Sequence, residues 1–119
     1  TNAETQPDPN WLPEAGKTAN DPSYPGAHAA ISAAAQTVLV TFFATDHFQL
    51  DVTSEVLPGI ERHFESFSGA EREASLSRVF AGVHFLTDEL AGETLGRQVA
   101  DFVVDYSLRP EEHKERTTP

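Results

Sequence analysis

Cysteine and methionine are absent from the 119 residues, and tryptophan occurs once. Without cysteine there is no disulfide framework, no thiolate nucleophile and no cysteine-held metal, whereas the compartment stays open. Basic residues are scarce: 8 Lys and Arg stand against 19 Asp and Glu, a formal net charge of −11 at pH 7. That field repels a phosphate backbone or an anionic membrane surface, so nucleic acid is excluded as an expected partner. Long apolar runs are lacking too. Val38 to Ala44 is the longest strongly apolar stretch, far short of the ~20 residues of a spanning helix. The start Thr1-Asn-Ala-Glu4 has no charged-then-apolar leader pattern. The expectation is a soluble chain with no transmembrane segment.

A chain of this length fits one domain that buries roughly two-thirds of its unfolded surface. Five of its eight prolines (Pro7, Pro9, Pro13, Pro22 and Pro25) fall in residues 1–27. Each lacks an N–H and restricts the residue before it, so this stretch reads as an extended lead-in. From His28 to Ala44 the chain is Ala-rich and free of Gly and Pro, which predicts a four-turn helix. It is apolar nearly all round, the pattern of a central helix. Residues 45–66, with Asp46, Asp51, Pro58 and Gly59 and short alternating pieces at 48–52 and 62–65, read as a connection that could hold a weak hairpin. Ser68 followed three residues later by Glu71 marks the start of a second helix through Ala81, with Gly82 as its stop. A third helix is predicted from about Phe85 to Tyr106. There Leu86, Leu90, Leu95, Val99, Phe102, Val103 and Tyr106 recur mostly at three- and four-residue intervals with acids between them. Residues 108–119 form a charged tail. The fold class is all-α.

Five histidines among many carboxylates raise the question of a metal. None has Glu three positions before it, and His-Glu-x-x-His is absent, so neither the di-metal bundle pattern nor the zinc protease pattern is present. No Gly-x-Ser-x-Gly elbow exists, and Ser32 reads as a small helix-packing residue. The more informative constellation is Ser77, Arg78, His84 and Asp88, taken with Tyr24-Pro25-Gly26-Ala27-His28. On an unbroken helix Arg78 and His84 would point apart, whereas a break at Gly82 could turn His84 back toward Arg78. His84 and Asp88 would then lie one turn apart on the next helix, the carboxylate fixing the imidazole tautomer. His28 would sit in the first turn of the central helix, where unpaired amides favour an oxyanion. Each part also admits a plainer reading. Arg78 could be a surface residue paired with a Glu, His84 a half-buried histidine satisfied by Asp88, and Pro25-Gly26 a turn before a helix.

Together these residues resemble the superfamily of vanadium-dependent haloperoxidases and type 2 phosphatidic acid phosphatases. Its members share three blocks: Lys-x6-Arg-Pro, Pro-Ser-Gly-His and Ser-Arg-x5-His-x3-Asp. Ser77, Arg78, His84 and Asp88 match the third at every defined position, and Pro25-Gly26-Ala27-His28 matches the second in part. The flanks 29–43 and 92–100 extend the likeness to about residues 20–107. The resemblance implies a helical bundle of the haloperoxidase and acid phosphatase type, here a partial one, with residues 28–107 as an oxyanion-binding domain. It implies that His84 bonds to vanadium or attacks phosphorus. Arg78 would hold oxyanion oxygens, with Gly26, Ala27 and Ser77 contributing to the same site. His28 would act as acid/base, and Asp88 would orient His84. The cofactor would be vanadate, replaced by phosphate in a phosphatase, and hydrogen peroxide would oxidise a halide. A bacterial periplasmic or secreted enzyme is suggested.

Two departures stand out. Gly26 occupies the place of the serine, which removes a hydroxyl contact. The first block is absent, since Lys17 is followed seven residues later by Tyr24-Pro25. The expectation is therefore a C-terminal part of a longer enzyme whose missing N-terminal half supplies that block, with a homodimer as a way to cover the apolar helix. Alternatives of different class are phosphomonoester hydrolysis through a phospho-His84 intermediate and a non-catalytic helical interaction fragment.

Overall fold

The computed structural model describes residues 4–107, so the charged tail from residue 108 lies outside the described residues. Three helices and one two-stranded sheet follow in the order α1 (Ala27–Phe43), β1 (His47–Ser54), β2 (Leu57–Ser66), α2 (Phe67–Phe80) and α3 (Leu86–Tyr106). The helical architecture agrees with the sequence reading. The hairpin is more substantial than expected. Its antiparallel strands pair Leu50 with Phe64 and Val52 with Arg62, and Phe48, Leu50 and Val52 alternate along one face as a strand requires. Both strands are largely exposed, so the hairpin adds little to the core.

The hairpin is anchored at its base. Phe43 at the end of α1, Phe48 on β1 and Phe67 at the start of α2 stack with ring centroids 4.8 to 6.5 Å apart. Asp46 accepts hydrogen bonds from the backbone N–H and the hydroxyl of Ser68. The N-cap of α2 is Ser66, whose Oγ accepts from the Gly69 amide at 2.9 Å. The helix therefore begins one residue before Ser68, because the Ser68 hydroxyl is engaged by Asp46.

Helix α1 packs against both α2 and α3, and most extensively against α3, which gives it the central place expected. The seam is made of small residues. Ala29 and Ala33 on α1 face Gly92, Gly96 and Ala100 on α3, all buried. A Cβ at Gly92 would run into the Gly26 carbonyl, and one at Gly96 into the Ala30 carbonyl. Glycine at these two places lets the helix backbones touch, which gains dispersion contacts.

That seam decides which face of α3 turns inward. Leu90, Leu95, Val99 and Phe102, whose spacing predicts the helix, are 44 to 62% exposed, whereas Asp88 and Glu89 are buried. The backbones approach too closely for leucines between them, so the small and acidic stripe turns inward. Ile31 and Phe42 on α1 are likewise exposed. An apolar surface on α1 and α3 is thus left uncovered among the described residues.

Candidate functional site

The turn between α2 and α3 builds the site. Helix α2 ends in a Schellman motif: the Gly82 amide donates to the Val79 carbonyl at 3.0 Å and the Val83 amide to the Arg78 carbonyl at 3.2 Å. Gly82 has φ of +70°, a conformation that costs an L side chain. The chain doubles back there, and His84 comes round to the cleft that Arg78 lines, as expected of a break at Gly82. The extended lead-in covers this turn, with Trp11 and Pro13 against Gly82 and the Ala15 amide bonded to the Ala81 carbonyl.

Arg78, Val83 and His84 thereby share a cleft of about 220 Å³ with Thr18, Asp21 and Ser23 of the lead-in. The Arg78 Nε is buried and makes no hydrogen bond. A buried guanidinium donor without an acceptor is costly.

His84 has a side chain 10% exposed. Its Nδ1 lies 2.9 Å from the carbonyl oxygen of Ser23. A carbonyl only accepts, so Nδ1 carries the proton, and in the neutral ring the lone pair sits on Nε2. This is the tautomer that a ligand or nucleophile needs. The sequence expected Asp88 to set it from the same helix. Instead α3 begins at Leu86, after His84, because Asp88 Oδ2 accepts the Phe85 amide at 3.0 Å and closes the first turn. Asp88 Oδ2 stays 3.8 Å from Nδ1, so the orienting hydrogen bond goes to Ser23.

The other expected site residues are less close. Gly26 is buried, and its amide donates to the Asp88 carbonyl at 2.7 Å, pinning the start of α1 to the first turn of α3. Ala27 and His28 lie in the first turn of α1, exposed, and neither lines the cleft. Ser77 is not brought to it: its hydroxyl donates to the Ala74 carbonyl at 2.7 Å, and it lines a separate hollow with Arg62, Arg72 and Phe80.

Sequence reasoning missed the acidic seam behind His84. Glu89 is fully buried, with Oε1 3.4 Å from His84 Nδ1. Ser75 Oγ donates to Glu93 Oε1 at 3.0 Å and lies 3.5 Å from Glu89 Oε2. Arg97 reaches Glu93 at 3.3 Å and Glu71 at 3.7 Å. Burial and the neighbouring Glu93 push the Glu71 carboxyl above the usual range. The signal was the four-residue spacing of Glu89, Glu93 and Arg97, which places them on one face of α3.

Comparison with known proteins points in one direction. A family model described as the VCPO second helical-bundle domain matches residues 1–111. A vanadium-dependent bromoperoxidase of Corallina officinalis is 32% identical over 111 residues, covering 82% of this chain and 18% of that protein. The solved structure of a bacterial vanadium-dependent iodoperoxidase superposes with a TM-score of 0.67 at 37% identity, covering 75% of this chain and 22% of that one. A holo-type bacterial vanadium-dependent chloroperoxidase superposes with a TM-score of 0.66 at 20% identity, over 81% of this chain and 23% of that chain, which is a likeness of fold. The chain spans about a fifth of the length of these relatives.

Proposed function

Since this chain belongs to the family of VCPO second helical-bundle domains, we propose that its cleft at Arg78 and His84 is the vanadate-binding part of a haloperoxidase. The observation that carries the proposal is the hydrogen bond from His84 Nδ1 to the Ser23 carbonyl. It leaves Nε2 as the donor atom for vanadium. The cleft has room for an oxyanion, and Arg78 is the cationic residue of its lining, with Asp21 as the acidic one.

In this reading Arg78 binds oxyanion oxygens through charge-assisted hydrogen bonds. His84 holds the central atom, and Ser23 fixes its ring. The first-turn amides of α1, Ala27 among them, add positive potential. His28, which stands exposed in the first turn of α1 outside the lining of this cleft, would serve as the acid/base that the resemblance assigns it only once the bundle is complete. Vanadate, when bound, supplies the electrophilic centre at which hydrogen peroxide is activated to oxidise a halide. The uncovered apolar faces of α1 and α3 are, in this proposal, seats for the further helices that complete the bundle and supply more cations.

Calorimetric titration of orthovanadate into the chain, with His84→Ala as control, tests this reading. Binding is expected in the parent chain and at least ~100-fold weaker in the variant, with helix content unchanged. Vanadate-dependent bromide oxidation without p-nitrophenyl phosphate hydrolysis is the expected activity of the complete site. Equal binding by parent and variant would remove His84 from the site and sink the proposal.

A further inference from the structure

Gly26 and Glu89 meet at the seam of α1 and α3 in a contact that the oxyanion site described above does not use. A Cβ at residue 26 would lie 2.7 Å from Glu89 Oε1, 2.9 Å from its Cδ and 3.0 Å from Oε2. Any side chain there would start inside the carboxylate. Nor is Glu89 at the rim, where it could swing away. It is fully buried, with Oε2 near Ser75 Oγ and Oε1 near His84 Nδ1, and the Gly26 amide is tied to the Asp88 carbonyl beside it. Glu89 Oε1 makes no hydrogen bond, and the carboxylate is held by the long bond from Ser75 Oγ to Oε2 and by the packing around it.

Residue 26 is also the place where the Pro-Ser-Gly-His pattern carries a hydroxyl side chain. We propose that Gly26 and Glu89 are an exchanged pair, in which the Glu89 carboxylate takes the volume of a residue-26 side chain and weakens the hold of the site on a tetrahedral oxyanion. The proposal rests on the oxyanion reading of the cleft. A serine hydroxyl donates to an anion, and with glycine at residue 26 that donor is gone while the Glu89 side chain stands in its volume. Glycine at residue 26 is therefore required as long as residue 89 is glutamate. Glu89 is a positioning residue that acts through the shape and charge behind His84.

A double-mutant cycle on the full chain tests the pair without reference to any ligand. Gly26→Ser is expected to lower the Tm by about 5–10 °C in the parent background and by less than a third of that beside Glu89→Ala. Glu89→Gln keeps the volume, so the full Tm loss is expected to persist in its background. Failure of Gly26→Ser to fold, with recovery in the Glu89→Ala background, supports the pair equally. The same Tm loss in all three backgrounds would overturn it. The smaller Gly26→Ala change applies the same test with less bulk.

Titration with orthovanadate then tests the consequence for anions. The double variant Gly26→Ser/Glu89→Ala is expected to bind about 10-fold more tightly than the parent, and more tightly than Glu89→Ala alone. Unchanged affinity would overturn the effect on the oxyanion. If no variant, and not the parent, binds vanadate, the oxyanion reading itself fails, while the Tm cycle still decides the pair.

Discussion

Arg78 and His84, six positions apart, face one cleft because the Val83 amide folds back onto the Arg78 carbonyl at 3.2 Å. That hydrogen bond exists only with Gly82 in its left-handed conformation, φ +70°. The spacing in the Ser-Arg-x5-His pattern is thus the spacing of a helix end followed by a sharp reversal. A chain with Arg on the last turn and His just beyond the reversal brings both side chains to one place.

Gly82→Ala therefore carries two costs. Forcing φ > 0 on alanine costs about 1–2 kcal/mol, and the new Cβ would meet Trp11 at 3.1 Å and Pro13 at 3.2 Å. Gly59 in the hairpin is the comparison, with φ of +81° and nothing within 4 Å of an added Cβ. Urea unfolding is expected to show a loss of about 1–2 kcal/mol for Gly59→Ala and more for Gly82→Ala. Only Gly82→Ala is expected to weaken vanadate binding. Equal effects on binding would mean that the reversal does not set the Arg78–His84 geometry.

The α1–α3 seam reverses the usual ranking of core substitutions. Gly96 lies against the Ala30 carbonyl, so Gly96→Val must push two helix backbones apart, at a cost of about 3 kcal/mol or more. Leu95, its neighbour, is 44% exposed, and Leu95→Ala is expected to stay within about 1 kcal/mol in this chain. Denaturant midpoints of the two variants decide the matter. A larger loss from Leu95→Ala would show that the leucine stripe, rather than the glycine stripe, faces the core.

Much of this arrangement was legible in the sequence. The Ala-rich run from His28, the stop at Gly82 and the third helix were marked by composition and period, which depend on local backbone preference. The third block, with Gly82 inside it, marked Arg78 and His84 as neighbours in space. Three features were not legible. The partner of His84 Nδ1 is a main-chain carbonyl at Ser23, and a backbone acceptor leaves no side-chain signature. Asp88 looked like the orienting carboxylate because i,i+4 spacing suits a helix, but the helix starts at Leu86 and spends Asp88 on its own first turn. The inward face of α3 is the third, because an apolar period marks a helix without saying which stripe packs, and close backbone approach here selects glycine and alanine.

Glu71 gives the acidic seam a measurable pH dependence. Burial, reinforced by Glu93, raises its pKa above 4.5, while Arg97 opposes the shift. A raised folded-state value means that its contribution to stability is fully present below the unfolded pKa and is lost as pH rises through the folded one. Glu71→Gln cannot lose it. The stability of Glu71→Gln relative to the parent is therefore expected to increase between pH 4 and pH 7, measured as the shift in urea midpoint. A constant difference across that range would mean that Glu71 titrates alike in the folded and unfolded chains.

The hairpin offers a second titration of the same sign. His63 on β2 faces Asp51 on β1, with Nδ1 2.5 Å from Oδ1. The hydrogen bond and charge of Asp51, with a smaller contribution from Glu61, raise the His63 pKa above 6.5. Protonated His63 thus favours the paired strands at pH below 6.5, and that contribution is lost as pH rises through the raised value. Both side chains are largely exposed, 70% and 61%, so salt is expected to weaken the effect. Proton NMR of the His63 ring should give a midpoint above 6.5 in the parent chain and one close to it in Asp51→Asn. An unchanged midpoint in Asp51→Asn would show that the cross-strand pair does not form in solution, and the Asp51↔His63 register would have to be abandoned with it.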